Sequence, residues 1–260
     1  MSTPAWIATM TVAERVIAAK EKMLRVVDHA MYVSALHENN AIVMYSPTLS
    51  QQIPISHAAN AFNVSRQGLH QIEIVRLCAL WDRAEPKKEN IPTVIELIDH
   101  HDVIESLAQE TASLWQGMGA SGLAFDPSDE PELRALAAEQ MQRNNEQFGQ
   151  EEAQRTRDDL RKAIDDSRAI LASPKHTSIM NLRDKHLAHS LSETRREQKA
   201  GPIPLVKYGD ERDMLEATLP IVEALYHWVN GNGLSMADSR EIDRKNAKAL
   251  WEACTFNITR

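Results

Sequence analysis

The fold class of this 260-residue chain is decided by residues 9–37, which read TMTVAERVIAAKEKMLRVVDHAMYVSALH. The apolar side chains of this stretch recur at intervals of three and four residues, and charged side chains fall between them. This period indicates a helix with one buried face. Thr11, with Glu14 three residues later, forms the capping-box pattern that begins such a helix. The predicted buried positions are Val12, Val16, Ala19, Met23, Val26, Ala30 and Val33.

The same period continues through most of the chain, and no sustained alternation of apolar and polar residues predicts a strand. We therefore predict one all-α domain over 1–260, a helical bundle of about seven long helices with extra peripheral helices. Predicted loops interrupt it at 45–56, at a Gly-rich segment near 117–130, and at a polar segment near 192–208. The predicted later helices span about 57–83, 92–114 with a bend near His100, 131–172, 174–191, 210–229 with a kink at Pro220, and 235–254.

Composition excludes several classes of protein. Hydrophobic residues make up 43% and charged residues 25% of the chain, which is ordinary for a soluble globular domain. The net charge of −8 does not suit a protein that coats nucleic acid over a broad surface. No basic, apolar leader begins the chain, and no apolar run approaches the roughly 20 residues of a membrane span. We expect a cytoplasmic protein with no membrane partner.

The residues that carry chemistry are concentrated in the segment 181–190, which reads NLRDKHLAHS. A histidine can accept or donate a proton near neutral pH. An arginine can stabilise negative charge on oxygen atoms through its fixed fork of donors. Arg183 and His189 are the predicted catalytic residues, and Asp184 and His186 are predicted to assist them.

Helix geometry makes this site depend on a second subunit. On one ideal helix, Arg183 and His189 would lie about 9 Å apart along the axis and roughly 120° apart around it. Two such residues cannot act as a close pair from one helix face. A symmetric dimer would place both copies of the motif in one cleft. We therefore expect a homodimer.

The motif and its surroundings resemble the HEPN superfamily, and in particular its abortive-infection, AbiU-like branch. A second match lies upstream, at Leu77–Arg83 followed by Ile91–Ile95, and the resemblance covers roughly 11–229. It implies a metal-independent endoribonuclease that needs no cofactor and leaves a 2′,3′-cyclic phosphate. It also implies a toxin or phage-defence effector acting on RNA, with a cognate antitoxin protein as partner.

The charge distribution supports an RNA substrate near the motif. From 155 to 199 there are 11 Lys or Arg against 7 Asp or Glu, whereas from 126 to 153 there are 2 against 8. Basic residues thus concentrate around the motif in an acidic chain, where they can steer a phosphate backbone.

Other interpretations stay open. The chain could be a non-catalytic HEPN module that binds RNA, a nucleotide or a protein, or it could be a purely structural helical dimer. The pair His100 and His101, flanked by acidic residues, invites a metal site. Adjacent helical residues point about 100° apart, however, so we interpret the pair as a solvated helix end and predict no metal site.

Overall fold

A computed structural model describes residues 4–117 and 131–258. Within those ranges the chain forms helices only, with no strand, and the all-α prediction is confirmed. None of these helices is both long and apolar enough to span a bilayer. The α-helices are α1 (Val12–Tyr45), α2 (Pro47–Gln52), α3 (His57–Leu80), α4 (Ile91–Ile98), α5 (His101–Gly117), α6 (Pro131–Ala172), α7 (Pro174–Leu182), α8 (Arg195–Ala200), α9 (Asp210–Asn230) and α10 (Met236–Trp251), and a π-helical turn, Arg183–Leu187, follows α7.

Two short helices occupy segments that were predicted to be loops. Helix α2 lies in the predicted loop 45–56, because Ser46 caps it and a proline takes its first position. Helix α8 lies in the predicted loop 192–208, because Thr194 and Glu197 form a capping box at its start. The bend expected near His100 is a break between α4 and α5. The predicted Gly-rich loop near 117–130 begins at Gly117, the last residue of α5. The rest of it lies outside the described residues.

Helix α1 is the centre of the bundle. It packs against α3, α4, α5, α9 and α10. Its residues Met23, Val26 and Ala30 are completely buried, as the spacing predicts. Its capping box is present, since the Thr11 N–H donates to the Glu14 carboxylate at 2.8 Å.

Buried polar contacts fix how α1 meets its neighbours. The Glu73 carboxylate of α3 is 1% exposed, lies 2.7 Å from Nδ1 of His37 and accepts a hydrogen bond from Asn40 at 2.6 Å. On the side of α10, the Glu38 carboxylate of α1 accepts hydrogen bonds from Arg240 at 2.5 Å and Arg244 at 3.1 Å. A buried charge is tolerated only with such partners, so these contacts select one register for the helices.

Helices α5 and α6 form a tightly packed antiparallel pair. Gly149 of α6 is so close to α5 that an added Cβ would lie 2.9 Å from the Ala112 carbonyl oxygen. Arg157 of α6 donates two hydrogen bonds of 2.8 Å to the two oxygens of Glu105 on α5. The Arg157 hydrogen bond is the main reason why the pKa of Glu105 falls to about 2.

The end of α3 lies beside the helix that precedes the motif. Trp81 follows α3, is 1% exposed, and donates its indole N–H to the Thr218 hydroxyl of α9 at 2.9 Å. Cys78 is completely buried and its thiol donates to the Ile179 carbonyl of α7 at 3.8 Å. Burial raises the pKa of Cys78 to about 12, so this thiol is not a nucleophile.

Candidate active site

The helix that leads into the motif starts and ends at defined signals. The Ser173 hydroxyl accepts the His176 N–H at 3.1 Å, and Pro174 takes the first helical position, as the sequence predicts. Helix α7 then ends at Leu182, and the π turn carries the chain through the motif. The Ala188 N–H donates to the Arg183 carbonyl at 2.8 Å, five residues back.

This turn corrects the expected course of the motif. The sequence predicted one helix that continues to Leu191, with Arg183 and His189 at ideal α-helical offsets. The α-helix in fact ends before the motif, and His189 lies after the π turn, outside any helix. A π turn is a wider loop of backbone than an α turn, so the predicted angle of roughly 120° between the two residues does not apply.

Arg183 lies in an alternating row of charges, which we call the Arg183 network: Lys88, Asp82, Arg183, Asp184 and Arg196. The guanidinium of Arg183 donates to Asp82 at 2.5 Å through Nη1, and to one oxygen of Asp184 at 2.9 Å through Nε and 2.7 Å through Nη2. Arg196 Nε lies 3.6 Å from the second Asp184 oxygen, and Lys88 Nζ lies 3.6 Å from Asp82. The network therefore joins the loop after α3, the motif and α8.

The network offsets the cost of burying the charged Arg183 side chain, which is only 17% exposed. Burial is the largest single influence on the pKa of Arg183 and acts to lower it, but hydrogen bonds to Asp82 and Asp184 raise the pKa overall. A guanidinium has five N–H donors, and three are engaged here, which leaves two for a ligand oxygen.

A second set of contacts fixes the motif backbone against α8. Lys185 donates to Glu197 at 2.9 Å, and Asn181 donates to the same carboxylate oxygen at 3.2 Å. Thr194 donates its hydroxyl to the Asn181 side-chain oxygen and its N–H to Glu197. The Lys185 hydrogen bond and the Thr194 N–H lower the pKa of Glu197 to about 2. These contacts hold the turn although its own residues are not in the core.

The two motif histidines face solvent. His186 and His189 are both exposed, and neither side chain forms a hydrogen bond or an ion pair with the part of the chain that the structure describes. Arg183 and Asp184 are therefore in direct contact within one chain, whereas neither histidine side chain is bonded to them. Among residues 4–117 and 131–258, no group competes with a substrate for the imidazole nitrogens.

Sequence reasoning did not name three residues of the network: Asp82, Lys88 and Arg196. The stretch Leu77–Arg83 was recognised only as a family-like segment, and Asp82 lies within it. This was the one available signal, because the contact between Asp82 and Arg183 joins residues 101 positions apart.

The other candidate sites lie elsewhere. A cleft of about 920 Å³ between α9 and α10 is lined by residues such as Pro220, Trp228 and Arg240, and none of the motif residues lines it. His100 and His101 are exposed at the start of α5. Over 4–117 and 131–258, no group of three or more His, Cys, Asp or Glu side chains is arranged to hold a metal ion.

A helical bundle with an Arg–His motif at the end of one helix is the combination that defines HEPN domains. The family model HEPN_AbiU2, described as AbiU2, matches residues 21–250, so the chain belongs to this family. Neither the curated proteins nor the solved structures include a match to this chain.

Proposed function

We propose that this chain is a metal-independent endoribonuclease that acts in the cytoplasm as a toxin or abortive-infection effector, and that it works as a homodimer. Arg183 and His189 are the catalytic residues in this proposal, and Asp184 and His186 assist them. Membership of the AbiU2 family supports an abortive-infection role. The proposal also assigns the protein an RNA substrate and a cognate antitoxin protein.

One observation carries the catalytic part of the proposal. The Arg183 guanidinium is fixed by ion pairs, and the exposed imidazoles of His186 and His189 follow it three and six residues later in the chain. Arg183 is fixed by carboxylates from two segments, whereas His186 is exposed on the π turn and His189 is exposed just after it. A charge-stabilising group benefits from being fixed before the reaction. A proton-transferring group must instead reach the atoms that exchange the proton.

The proposed reaction needs only these groups. One imidazole accepts the proton of the RNA 2′-hydroxyl, whose oxygen attacks the adjacent phosphorus. The bond to the 5′-oxygen breaks, and a second, protonated imidazole gives that oxygen its proton. The Arg183 guanidinium stabilises the charge that develops on the phosphoryl oxygens. The products are a 2′,3′-cyclic phosphate and a free 5′-hydroxyl.

A non-catalytic HEPN module that binds RNA, a nucleotide or a protein partner is the second candidate. It is favoured by the same carboxylates, because Asp82 and Asp184 engage three of the Arg183 donors and offset its charge. A residue paired in this way can also serve a structural role.

Purified protein incubated with structured RNA in EDTA separates the two candidates. The wild type should cleave, and His189→Ala should reduce the rate about 100-fold or more, as expected for loss of a general acid or base. His57→Ala is the matched control, because His57 is also exposed but lies at the start of α3. Cleavage that is equal in wild type and His189→Ala would remove the catalytic proposal, and RNA binding without cleavage would favour the module.

Mixing two inactive variants tests the homodimer. Arg183→Gln and His189→Ala subunits are each expected to be inactive alone. Suppose that each dimer has two sites, and that each site combines Arg183 of one subunit with His189 of the other. Half of the dimers in a re-associated mixture are mixed, and each mixed dimer has one intact site of two. The mixture should therefore recover about a quarter of wild-type activity. A mixture that stays inactive, although mass measurement shows mixed dimers, would contradict a shared site.

A further inference from the structure

The Arg183 network includes a carboxylate outside the motif, that of Asp82. Its oxygen accepts a hydrogen bond from Arg183 Nη1 at 2.5 Å, and the two residues are 101 positions apart in the chain. Asp184 is the neighbour of Arg183 in sequence and moves with the same turn. Asp82 is therefore the contact that ties the guanidinium to the loop after α3, a distant segment of the chain.

Asp82 is itself held in place by the residues around it. It directly follows Trp81, which is 1% exposed and hydrogen-bonded to Thr218. The Asn90 side chain donates to the Asp82 backbone carbonyl at 3.0 Å, and Lys88 Nζ lies 3.6 Å from its carboxylate. The carboxylate thus projects from a backbone that is anchored in the core on one side and closed by the cap of α4 on the other.

Two contacts in different directions restrict a guanidinium more than one does. Asp184 engages the Nε and Nη2 atoms, and Asp82 engages Nη1. With Asp184 alone, the Arg183 guanidinium would be held only by a neighbour on its own turn. With Asp82 as well, the guanidinium is fixed relative to α3, and its two remaining donors have a defined direction.

We propose that Asp82 is a positioning residue of the ribonuclease site, which orients the Arg183 guanidinium toward the phosphoryl group of the RNA. This inference rests on the proposed function. Asp82 touches neither RNA nor the reacting proton in this role, so it acts only through Arg183. Its loss should slow the chemical step more than it weakens RNA binding.

The test compares kcat and KM for RNA cleavage in Asp82→Asn, Asp82→Glu and a matched control. Asp82→Asn should lower kcat about 10-fold or more and change KM less than about threefold, since a misplaced group costs mainly chemistry. Asp82→Glu keeps the charge but shifts it by one methylene, so its kcat should be intermediate. Glu85→Gln is the control, because Glu85 also pairs with Lys88, at 3.2 Å, but does not touch Arg183.

A double variant separates positioning from a general structural role. In an Arg183→Lys background, Asp82→Asn should cause little further loss of kcat, because the group that it orients is already gone. If the fold-losses in kcat of the two single variants multiply in the double variant, Asp82 acts independently of Arg183. That result would overturn the inference.

The outcomes distinguish this inference from the proposed function. If the wild type cleaves and folded Asp82→Asn cleaves equally fast, Asp82 has no positioning role and the ribonuclease proposal is unaffected. If the wild type does not cleave above His189→Ala, the ribonuclease proposal fails and the role of Asp82 fails with it. Should Asp82→Asn not fold, as judged by its thermal melting, Asp82→Glu decides, and wild-type kcat in that variant would overturn the inference.

Discussion

Replacing Gly149 by alanine should destabilise the protein, although alanine is the better helix former. An added Cβ would lie 2.9 Å from the Ala112 carbonyl oxygen. This oxygen belongs to the α5 backbone and cannot rotate away as a side chain would. The α5–α6 pair must separate to relieve the contact, and overpacking of this kind costs about 1–3 kcal/mol.

The net effect follows from two opposing contributions. Alanine gains about 1 kcal/mol over glycine inside a helix. Subtracting that gain from the overpacking cost leaves a net loss of about 1 kcal/mol for Gly149→Ala. Gly68→Ala in α3 is the matched control, because a Cβ there meets nothing within 4 Å. That variant should be more stable than the wild type by roughly 0.5–1 kcal/mol.

Urea unfolding followed by far-ultraviolet circular dichroism measures both variants. Gly149→Ala should lower the urea midpoint and Gly68→Ala should raise it. The slope of the unfolding free energy against urea concentration should be unchanged in both. A Gly149→Ala midpoint at or above that of the wild type would refute the close approach of α5 and α6. A Gly68→Ala midpoint below that of the wild type would refute the open environment inferred for that position.

Three further measurements follow from the structure. The pKa of Glu105 is about 2 in the folded protein against the usual 4.5, so Glu105 stabilises the fold above pH 4.5 and this contribution is lost as the pH falls toward 2. Glu105→Gln should therefore lose less unfolding free energy over that interval than the wild type does, and equal losses would contradict the ion pair. Arg83 and Lys87 are exposed and form no ion pair within the described ranges. Replacing either by Gln should make the slope of log RNA affinity against log salt concentration shallower by about 0.7, while kcat stays unchanged. An unaltered slope would exclude a phosphate contact. A thiol reagent should label the partly exposed Cys254 in the folded protein, whereas Cys78 should react only in denaturant, and rapid labelling of both would contradict its complete burial.

Long helices such as α1 could be predicted because a buried apolar stripe with the helical period runs along them. Met23, Val26 and Ala30 in α1 illustrate this, since all three are completely buried where the spacing placed them. The short helices α2 and α8 could not be predicted in this way, because six residues are too few to show a period. Only their caps at Ser46 and Thr194 mark them in the sequence.

The candidate site was predictable in its residue types and not in its geometry. Arg183 and Asp184 are oppositely charged neighbours, and the structure shows them in contact. The π turn depends on which carbonyl the Ala188 N–H selects, and residue spacing does not specify that choice. The contact with Asp82 depends on how α3 packs against α7, which only the assembled fold determines.

The ion pairs of Glu38 set an order for events during synthesis. Its partners Arg240 and Arg244 lie 202 and 206 residues further along the chain. While the ribosome is still extending the protein, the Glu38 carboxylate has neither guanidinium to accompany it into the interior and must stay hydrated. The surface of α1 that receives α10 therefore stays open until residues 236–251 have left the ribosome. A fragment released before α10 is made would keep that surface exposed to cellular proteases, and only a chain that includes α10 can close it.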